Sequence, residues 1–289
     1  MSFEGIRSIA VIGAGTMGQG IAQVCAMAGF KVLLYDVQPE LVQKGIVAIR
    51  KSLDTAVEKE KITPEQKTAA LNNVIAVSDF RNLQVELAIE AVIEKLEVKQ
   101  MLFAELEKIN DKDCILATNT SSIPITQIAS VLKHQGRVAG LHFFNPAPVM
   151  KLVEVVQGAC TDPDVVDRLM TLAAFLGKKP VIVKDSPGFI VNRVARHFYV
   201  ESLKLVEDGV ADIASVDKLM RAAGFKMGPF ELMDLIGVDT NFSVTTSIYQ
   251  AFHQDPKFRP SRIQQQKVDA GHWGRKSGKG FYDYTSEQA

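Results

Sequence analysis

The strongest restriction on the fold is a glycine-rich turn that separates a short apolar run from a helical pattern. The run is Ser8–Ile12, and the turn reads Gly13-Ala14-Gly15-Thr16-Met17-Gly18, which has the spacing GxGxxG. The first glycine allows a tight turn, the second lets a pyrophosphate approach the helix N-terminus, and the third lets helix and strand pack closely. This order predicts a dinucleotide-binding βαβ unit. The residues expected to contact the cofactor here are Gly13, Gly15, Thr16, Met17 and Gly18.

An acidic residue ends the next apolar run and bears on which cofactor is bound. The run is Lys31–Tyr35, and Asp36 follows it directly. An acid in this place accepts hydrogen bonds from the adenosine ribose and repels the 2′-phosphate of NADP, so we predict NAD. FAD proteins share the fingerprint, but they usually need a larger domain than 289 residues allow. The plainer alternative is a glycine-rich turn followed by an exposed aspartate.

The first 185 or so residues alternate short β-rich runs with helical patterns. Such alternation predicts an α/β fold with a Rossmann-like, doubly wound and mostly parallel sheet. Strands are predicted at Ser8–Ile12, Lys31–Tyr35, Val74–Val77, Leu87–Val92, Cys114–Thr118, Val138–Phe143, Leu152–Val156 and Val181–Val183. Helices are predicted at Thr16–Ala28, Pro39–Lys59, Lys95–Ile109 and Asp162–Leu176.

The pattern changes at Asp185-Ser186-Pro187-Gly188, where proline and glycine interrupt the preceding run. No convincing strand follows. Helices are predicted at Phe189–Asp208, Ser215–Ala223, Pro229–Leu235 and Val238–His253. We therefore expect an NAD-binding domain at residues 1–185 and an all-helical domain, for substrate binding and dimerisation, at residues 186–289. A site between the two is expected, as is common at domain interfaces.

Composition narrows the class of protein. Lys+Arg and Asp+Glu both total 33, and a balanced charge argues against a nucleic-acid or polybasic membrane binder. The apolar runs are too short to span a bilayer, and the N-terminus lacks the pattern of a signal peptide. The three widely spaced cysteines suggest reduced thiols and no metal site. These features predict a cytoplasmic protein.

One histidine and one glutamate stand out as a catalytic pair. His142 lies at the end of an apolar run, where ligands collect in open α/β sheets. Glu154 lies between valines in the next run, and an acid there is costly to bury without a partner. The proline-rich turn at residues 145–148 would fold that run back beside His142. From the residues alone, an alternative stays open. His142 could be a hydrogen-bonded histidine of the core, and Glu154 could be a solvated acid on an edge strand.

Four longer segments closely resemble the signature of the L-3-hydroxyacyl-CoA dehydrogenase family. They are Leu141–Val155, Asn119–Ser122, Asp185–Arg193 and Met227–Leu232. The resemblance extends from the fingerprint to Tyr282, and the length is similar to that of the stand-alone bacterial 3-hydroxybutyryl-CoA dehydrogenases. It implies NAD-dependent oxidation of a 3-hydroxyacyl-CoA, or the reverse, in a homodimer formed through the helical domain.

The resemblance also implies roles for single residues. His142 would be the general base in oxidation and the general acid in reduction, with Glu154 orienting it. Ser121 and Asn192 would hydrogen-bond the substrate oxygens, and both side chains can do so without titrating. Without the resemblance, these two are read more simply as a turn residue and a helix-start cap. Further cofactor contacts implied are Glu94, Lys99, Ser121, Asn145 and Lys276.

The acyl-CoA substrate carries phosphates, so cations should lie along its path. Lys51 and Lys59, on the long second helix, are the candidates, because the family's corresponding segment approaches CoA. Neighbouring Glu58 and Glu60 also fit a solvated helix face.

Two rival functions stay open. One is a dehydrogenase of a free hydroxy acid or sugar acid, of the L-gulonate type. The other is a structural or NAD-binding relative without catalytic activity, called a silent relative below. The sequence does not give the acyl-chain length, nor whether the cell uses oxidation in fatty-acid degradation or reduction toward butyrate.

Overall fold

The computed structural model describes Phe3 and residues 5–285. The chain divides into two compact units, Met1–Ser186 and Pro187–Ala289. The first unit contains the sheet, and the second is helical.

The first unit is built on one eight-stranded sheet. Its strands are β1 (Ser8–Ile12), β2 (Lys31–Tyr35), β3 (Val74–Ala76), β4 (Leu87–Glu90), β5 (Ile115–Thr118), β6 (Val138–Phe143), β7 (Leu152–Gln157) and β8 (Lys179–Lys184). They lie in the order β3-β2-β1-β4-β5-β6-β7-β8. All neighbours are parallel except β6 and β7. The predicted doubly wound, mostly parallel sheet is therefore confirmed.

Helices connect the strands. They are α1 (Thr16–Met27), α2 (Pro39–Glu58), α3 (Pro64–Asn73), α4 (Leu96–Ile109), α5 (Ile125–Ala129) and α6 (Pro163–Phe175). The central strands β4, β5 and β6 are buried along their whole length, which is why they read as continuous apolar runs. Three of the helices open with a proline, which already has the φ angle that the first helical turn needs.

The order of the strands determines where a ligand can bind. The chain moves outward from β1 to β2 and β3, then returns to place β4 on the other side of β1. Ligands bind at the carboxyl ends of the strands where the order reverses. The glycine turn after β1, Asp36 after β2 and the segment after β4 all lie at this edge.

The antiparallel pairing of β6 and β7 follows from the short proline-rich connection between them. The connection contains a cis peptide bond at Asn145–Pro146. The register places His142 directly opposite Glu154. The expectation that this turn folds the second run back beside the first is confirmed.

The second unit consists of α7 (Val191–Glu207), α8 (Ile213–Ala222), α9 (Pro229–Ile236), α10 (Val238–Ala251) and α11 (Arg262–Asp269). No strand is assigned in the part of this unit that the structure describes, apart from isolated bridges at Gly274, Lys279 and Asp283. Its core includes Leu203, Phe230, Met233 and Val238. The last described segment returns to this core, where Phe281 packs edge-on against Phe230. Among the described residues, no helix is both long and apolar enough to cross a membrane.

Candidate active site

The glycine turn has the shape that a dinucleotide needs. Gly13 has a φ of 101°, and an added Cβ there would lie 2.5 Å from the carbonyl oxygen of Ala91. Gly18 lies so close to the carbonyl of Gly13 that no side chain fits. At Gly15, in contrast, an added Cβ would meet nothing within 4 Å, so the backbone at the start of α1 faces open space. That space suits a pyrophosphate at the helix N-terminus.

Asp36 lies beside this turn. Its carboxylate accepts hydrogen bonds from the backbone N–H of Ala14 at 2.8 Å and of Gln38 at 3.0 Å. A cavity of about 570 Å³ runs from Gly15 past Asp36 and is lined mainly by apolar groups, among them Tyr35, Phe80 and Met101. An apolar slot that ends at a carboxylate and an open glycine backbone fits the adenosine half of NAD.

The predicted histidine–glutamate pair is present as a buried contact. His142 Nδ1 lies 2.8 Å from Glu154 Oε2, and both side chains are at least nine-tenths buried. Since Nδ1 faces a carboxylate, the neutral imidazole carries its proton on Nδ1 and presents Nε2 as the acceptor. The ring also packs against Phe144, with 4.5 Å between the ring centroids.

The turn after β5 carries Ser121 to the same edge of the sheet. The amide of Asn119 joins this turn to β6, because its Oδ1 accepts a hydrogen bond from the backbone N–H of Phe143 at 2.8 Å. Glu94 Oε1 accepts from Thr120 Oγ1 at 2.6 Å, from Ser121 N at 2.9 Å and from Ser122 N at 3.2 Å. One carboxylate oxygen therefore fixes the backbone that carries Ser121.

Glu94 and Lys99 lie together, and their surroundings differ. The Glu94 side chain is about one-third exposed, whereas that of Lys99 is 1% exposed. Burial raises the pKa of Glu94, but Lys99 and the hydrogen bonds from Thr120 and Ser121 outweigh it and hold that pKa below its usual range. Glu94 is thus a stable carboxylate at neutral pH.

The remaining predicted residues occupy varied positions. Asn145 is exposed in the turn after β6, and Lys51 and Lys59 are exposed along α2 and at its end. Asn192 lies in the first turn of α7, half-buried. Lys276 belongs to the second unit, where its ammonium group pairs with Asp239 Oδ1 at 2.7 Å.

Sequence reasoning did not single out Glu90. This residue ends β4, is fully buried and contacts Lys99 Nζ at 2.6 Å. The sequence contains a signal for this buried acid. Glu90 ends the apolar run LAIE, much as Glu154 lies between valines.

The described residues contain no cluster of three or more histidine, cysteine or acidic side chains that could hold a metal. Cys25 and Cys114 are buried free thiols, and burial raises the pKa of each to about 12. These two cysteines are therefore protonated core residues, not nucleophiles.

Family models account for nearly the whole chain. The NAD binding domain of 3-hydroxyacyl-CoA dehydrogenase matches residues 8–186, and the C-terminal domain of 3-hydroxyacyl-CoA dehydrogenase matches residues 188–284. The chain belongs to the 3-hydroxyacyl-CoA dehydrogenase family. This family comprises NAD-dependent oxidoreductases that act on CH–OH groups. The expectation of NAD as the cofactor is confirmed.

Individual members of the family are similar over most of the chain. The 3-hydroxyadipyl-CoA dehydrogenase of Escherichia coli K12 is 49% identical over 98% of this chain, which spans 60% of that protein's length. The probable 3-hydroxybutyryl-CoA dehydrogenase of Bacillus subtilis is 41% identical, covering 98% of this chain and 99% of that one. The solved (S)-3-hydroxybutyryl-CoA dehydrogenase of Ralstonia eutropha has 39% identity and a TM-score of 0.93, with 97% and 99% of the two chains covered.

Proposed function

We propose that this family member oxidises a short-chain (S)-3-hydroxyacyl-CoA, with 3-hydroxybutyryl-CoA as the leading substrate, to the 3-oxoacyl-CoA, and also runs the reverse reaction. The observation that carries the proposal is the buried contact of 2.8 Å between His142 and Glu154, at the sheet edge that holds the glycine turn. The 3-hydroxybutyryl-CoA dehydrogenases that align over 97% or more of both chains support the substrate.

His142 handles the proton in the proposed mechanism. When bound, NAD supplies the acceptor for the hydride that leaves C3 of the substrate. His142 Nε2 takes the proton of the 3-hydroxyl group, because Nδ1 is turned toward Glu154. The imidazolium that results is stabilised by the buried carboxylate, as in other histidine–acid pairs. In reduction His142 returns the proton to the 3-oxo oxygen.

Neutral donors complete the substrate site in this proposal. Ser121 and Asn192 hydrogen-bond the 3-oxygen or the thioester carbonyl, and neither side chain changes its charge as the oxygen gains electron density. Asn145 and Glu94 contribute to the cofactor site. Lys51 and Lys59 approach the phosphates of CoA, which their exposure on α2 permits.

The first test follows NADH oxidation with acetoacetyl-CoA as the substrate. We expect His142→Gln to lower kcat by at least ~100-fold, because general acid–base catalysis contributes about that much or more. NADH affinity, measured by fluorescence, should stay near that of the wild type. His134→Gln is the matched control, since His134 is an exposed histidine of the same unit. Equal turnover of the two variants would refute the catalytic role of His142.

A substrate panel separates this function from its rivals. It compares 3-hydroxybutyryl-CoA with free 3-hydroxybutyrate, L-gulonate and 3-hydroxyadipyl-CoA. The last is included because a relative with 49% identity carries that name. A higher kcat/KM for a free acid would favour the gulonate-type alternative, and no turnover of any compound would favour a silent relative.

We also propose that residues 1–185 bind NAD and that residues 186–289 support substrate binding and a homodimer. Exposed apolar side chains on the second unit, including Leu219, Phe225 and Leu235, are consistent with a self-association surface. Light scattering coupled to size exclusion should give twice the monomer mass. A cytoplasmic location completes the proposal, and fractionation of cells that express the tagged protein tests it.

A further inference from the structure

We propose that Glu90 and Lys99 form a buried positioning pair that holds Glu94, and through it Ser121, in the geometry required for substrate turnover. This inference rests on the proposed role of Ser121 in the substrate site.

The pair is unusual because of its depth. Glu90 is 0% exposed and Lys99 is 1% exposed, with Nζ 2.6 Å from Glu90 Oε1. Isolated charges at such depth are strongly disfavoured, so each charge needs a partner inside the unit. The Lys99 ammonium contacts two carboxylates, those of Glu90 and Glu94.

Glu90 is itself held rigidly. Its Oε2 accepts a hydrogen bond from Thr118 Oγ1 at 2.7 Å, and its Oε1 accepts one from the backbone N–H of Val92 at 2.7 Å. Thr118 ends β5, and Glu90 ends β4. The carboxylate is thus fixed by two central strands of the sheet, both of which are buried along their whole length.

Lys99 connects the fixed carboxylate of Glu90 to Glu94. Its Nζ lies 3.2 Å from Glu94 Oε2, while Glu94 Oε1 faces the turn at residues 120–122. The two oxygens of one carboxylate thus join the buried ammonium to the backbone N–H of Ser121. Glu94 shares the Lys99 ammonium with Glu90. The negative charge that is left over on Glu94 is stabilised by the hydrogen-bond donors of the turn.

A purely structural ion pair would affect stability alone, whereas a positioning pair would also affect kinetics after stability is restored. The decisive variant is Glu90→Gln with Lys99→Met. Replacing both members of a buried pair by neutral residues of similar size is often tolerated, whereas removing one partner is strongly destabilising. We expect Glu90→Gln alone to lower Tm by roughly 10 °C and the double variant to regain most of that loss.

In the double variant Glu94 no longer has its ammonium partner. We expect kcat/KM for acetoacetyl-CoA to stay at least ~10-fold below wild type, because small errors in position are costly to turnover. Hydrogen exchange at the amides of Ser121 and Ser122 should be faster than in the wild type. Glu107→Gln is the matched control, since Glu107 lies on the same helix and pairs with Arg137 at 3.4 Å. The control should leave both readouts unchanged.

The outcomes separate this inference from the proposed function. If the double variant regains both Tm and kcat/KM, with wild-type exchange at the turn, the pair is structural only and the inference is wrong. Ser121→Ala is measured in parallel. If that variant keeps wild-type kinetics, the substrate role of Ser121 fails first, and the kinetic claim for the pair fails with it.

Discussion

A single carboxylate, Asp36, has a structural role and is also our candidate for cofactor selection. It holds the backbone N–H of Ala14 in the glycine turn and that of Gln38 beyond β2. The same group lines the cavity that fits adenosine. Its position therefore depends on the fold, and we propose that its charge disfavours the 2′-phosphate of NADP.

We predict that Asp36→Asn shifts cofactor preference toward NADPH. The amide oxygen can still accept one of the two backbone hydrogen bonds, but the repulsion of a 2′-phosphate is removed. The ratio of NADH to NADPH affinity should fall about tenfold, which corresponds to about 1.4 kcal/mol. Fluorescence titration with both cofactors measures it. Asp54→Asn, on the surface of α2, is the control, and an unchanged ratio in Asp36→Asn would contradict the assignment.

The contact between His142 and Glu154 could be predicted from the residues because its signal is local. An acid lies between valines, a histidine lies at the end of the preceding apolar run, and a proline-rich turn joins the two runs. This order predicts that the two side chains meet. The partner of Lys276 could not be found this way. Asp239 lies far away in the sequence, and nothing in either neighbourhood indicates the contact.

Helices α8 and α9 illustrate how buried acids organise the second unit. Asp234 on α9 accepts hydrogen bonds from the backbone N–H groups of Phe281 and Tyr282, each at 2.9 Å, and from the Tyr284 hydroxyl at 3.0 Å. Asp217 on α8 accepts one from the Tyr282 hydroxyl at 2.8 Å. These contacts attach the last described segment to the helices.

We predict that Asp234→Ala destabilises the second unit by about 2–4 kcal/mol, because two buried donors and one partly buried donor lose their acceptor. The loss should appear as a lower midpoint in urea unfolding followed at the aromatic residues of this unit. Asp283→Ala is the control on the same segment, since Asp283 is exposed and its side chain accepts hydrogen bonds from its neighbour Thr285. Equal midpoints for the two variants would show that the segment is held by apolar packing alone.

Elements with strong apolar periodicity were predictable, and weakly amphipathic ones were not. The strands β1, β2 and β6 have the predicted bounds, whereas β8 is longer than predicted because lysines flank its apolar centre. Helices α3 and α11 bury a single residue each and therefore give no apolar stripe. The local signals were the N-caps Thr63 and Ser261 and, in α3, the proline and the capping-box residue Gln66 that follow Thr63.

Across the molecule, acid stability depends on carboxylates that the fold keeps ionised. In Glu86 and Glu107 burial raises the pKa, but hydrogen bonds, chiefly from backbone N–H groups, outweigh burial and the net pKa is lowered. The net pKa of Glu94 is lowered as well, mainly by the charge of Lys99. The pKa of Asp234 is shifted in the opposite direction, because burial raises it above the usual range.

We predict that the unfolding temperature of the first unit falls as the pH drops below about 4.5. A carboxyl group with a lowered folded pKa contributes stability that is present above its unfolded pKa, near 4.3, and is lost as the pH falls through its folded value. Glu86→Gln should show a shallower fall between pH 5 and pH 3, because it removes one titrating group while its amide oxygen can still accept from Ser8. Calorimetry across this range measures both proteins. Parallel curves would mean that Glu86 does not contribute to acid unfolding. A Tm of the first unit that rose on acidification of the wild type would contradict the prediction, because carboxyl groups with lowered pKa values would then not dominate its stability.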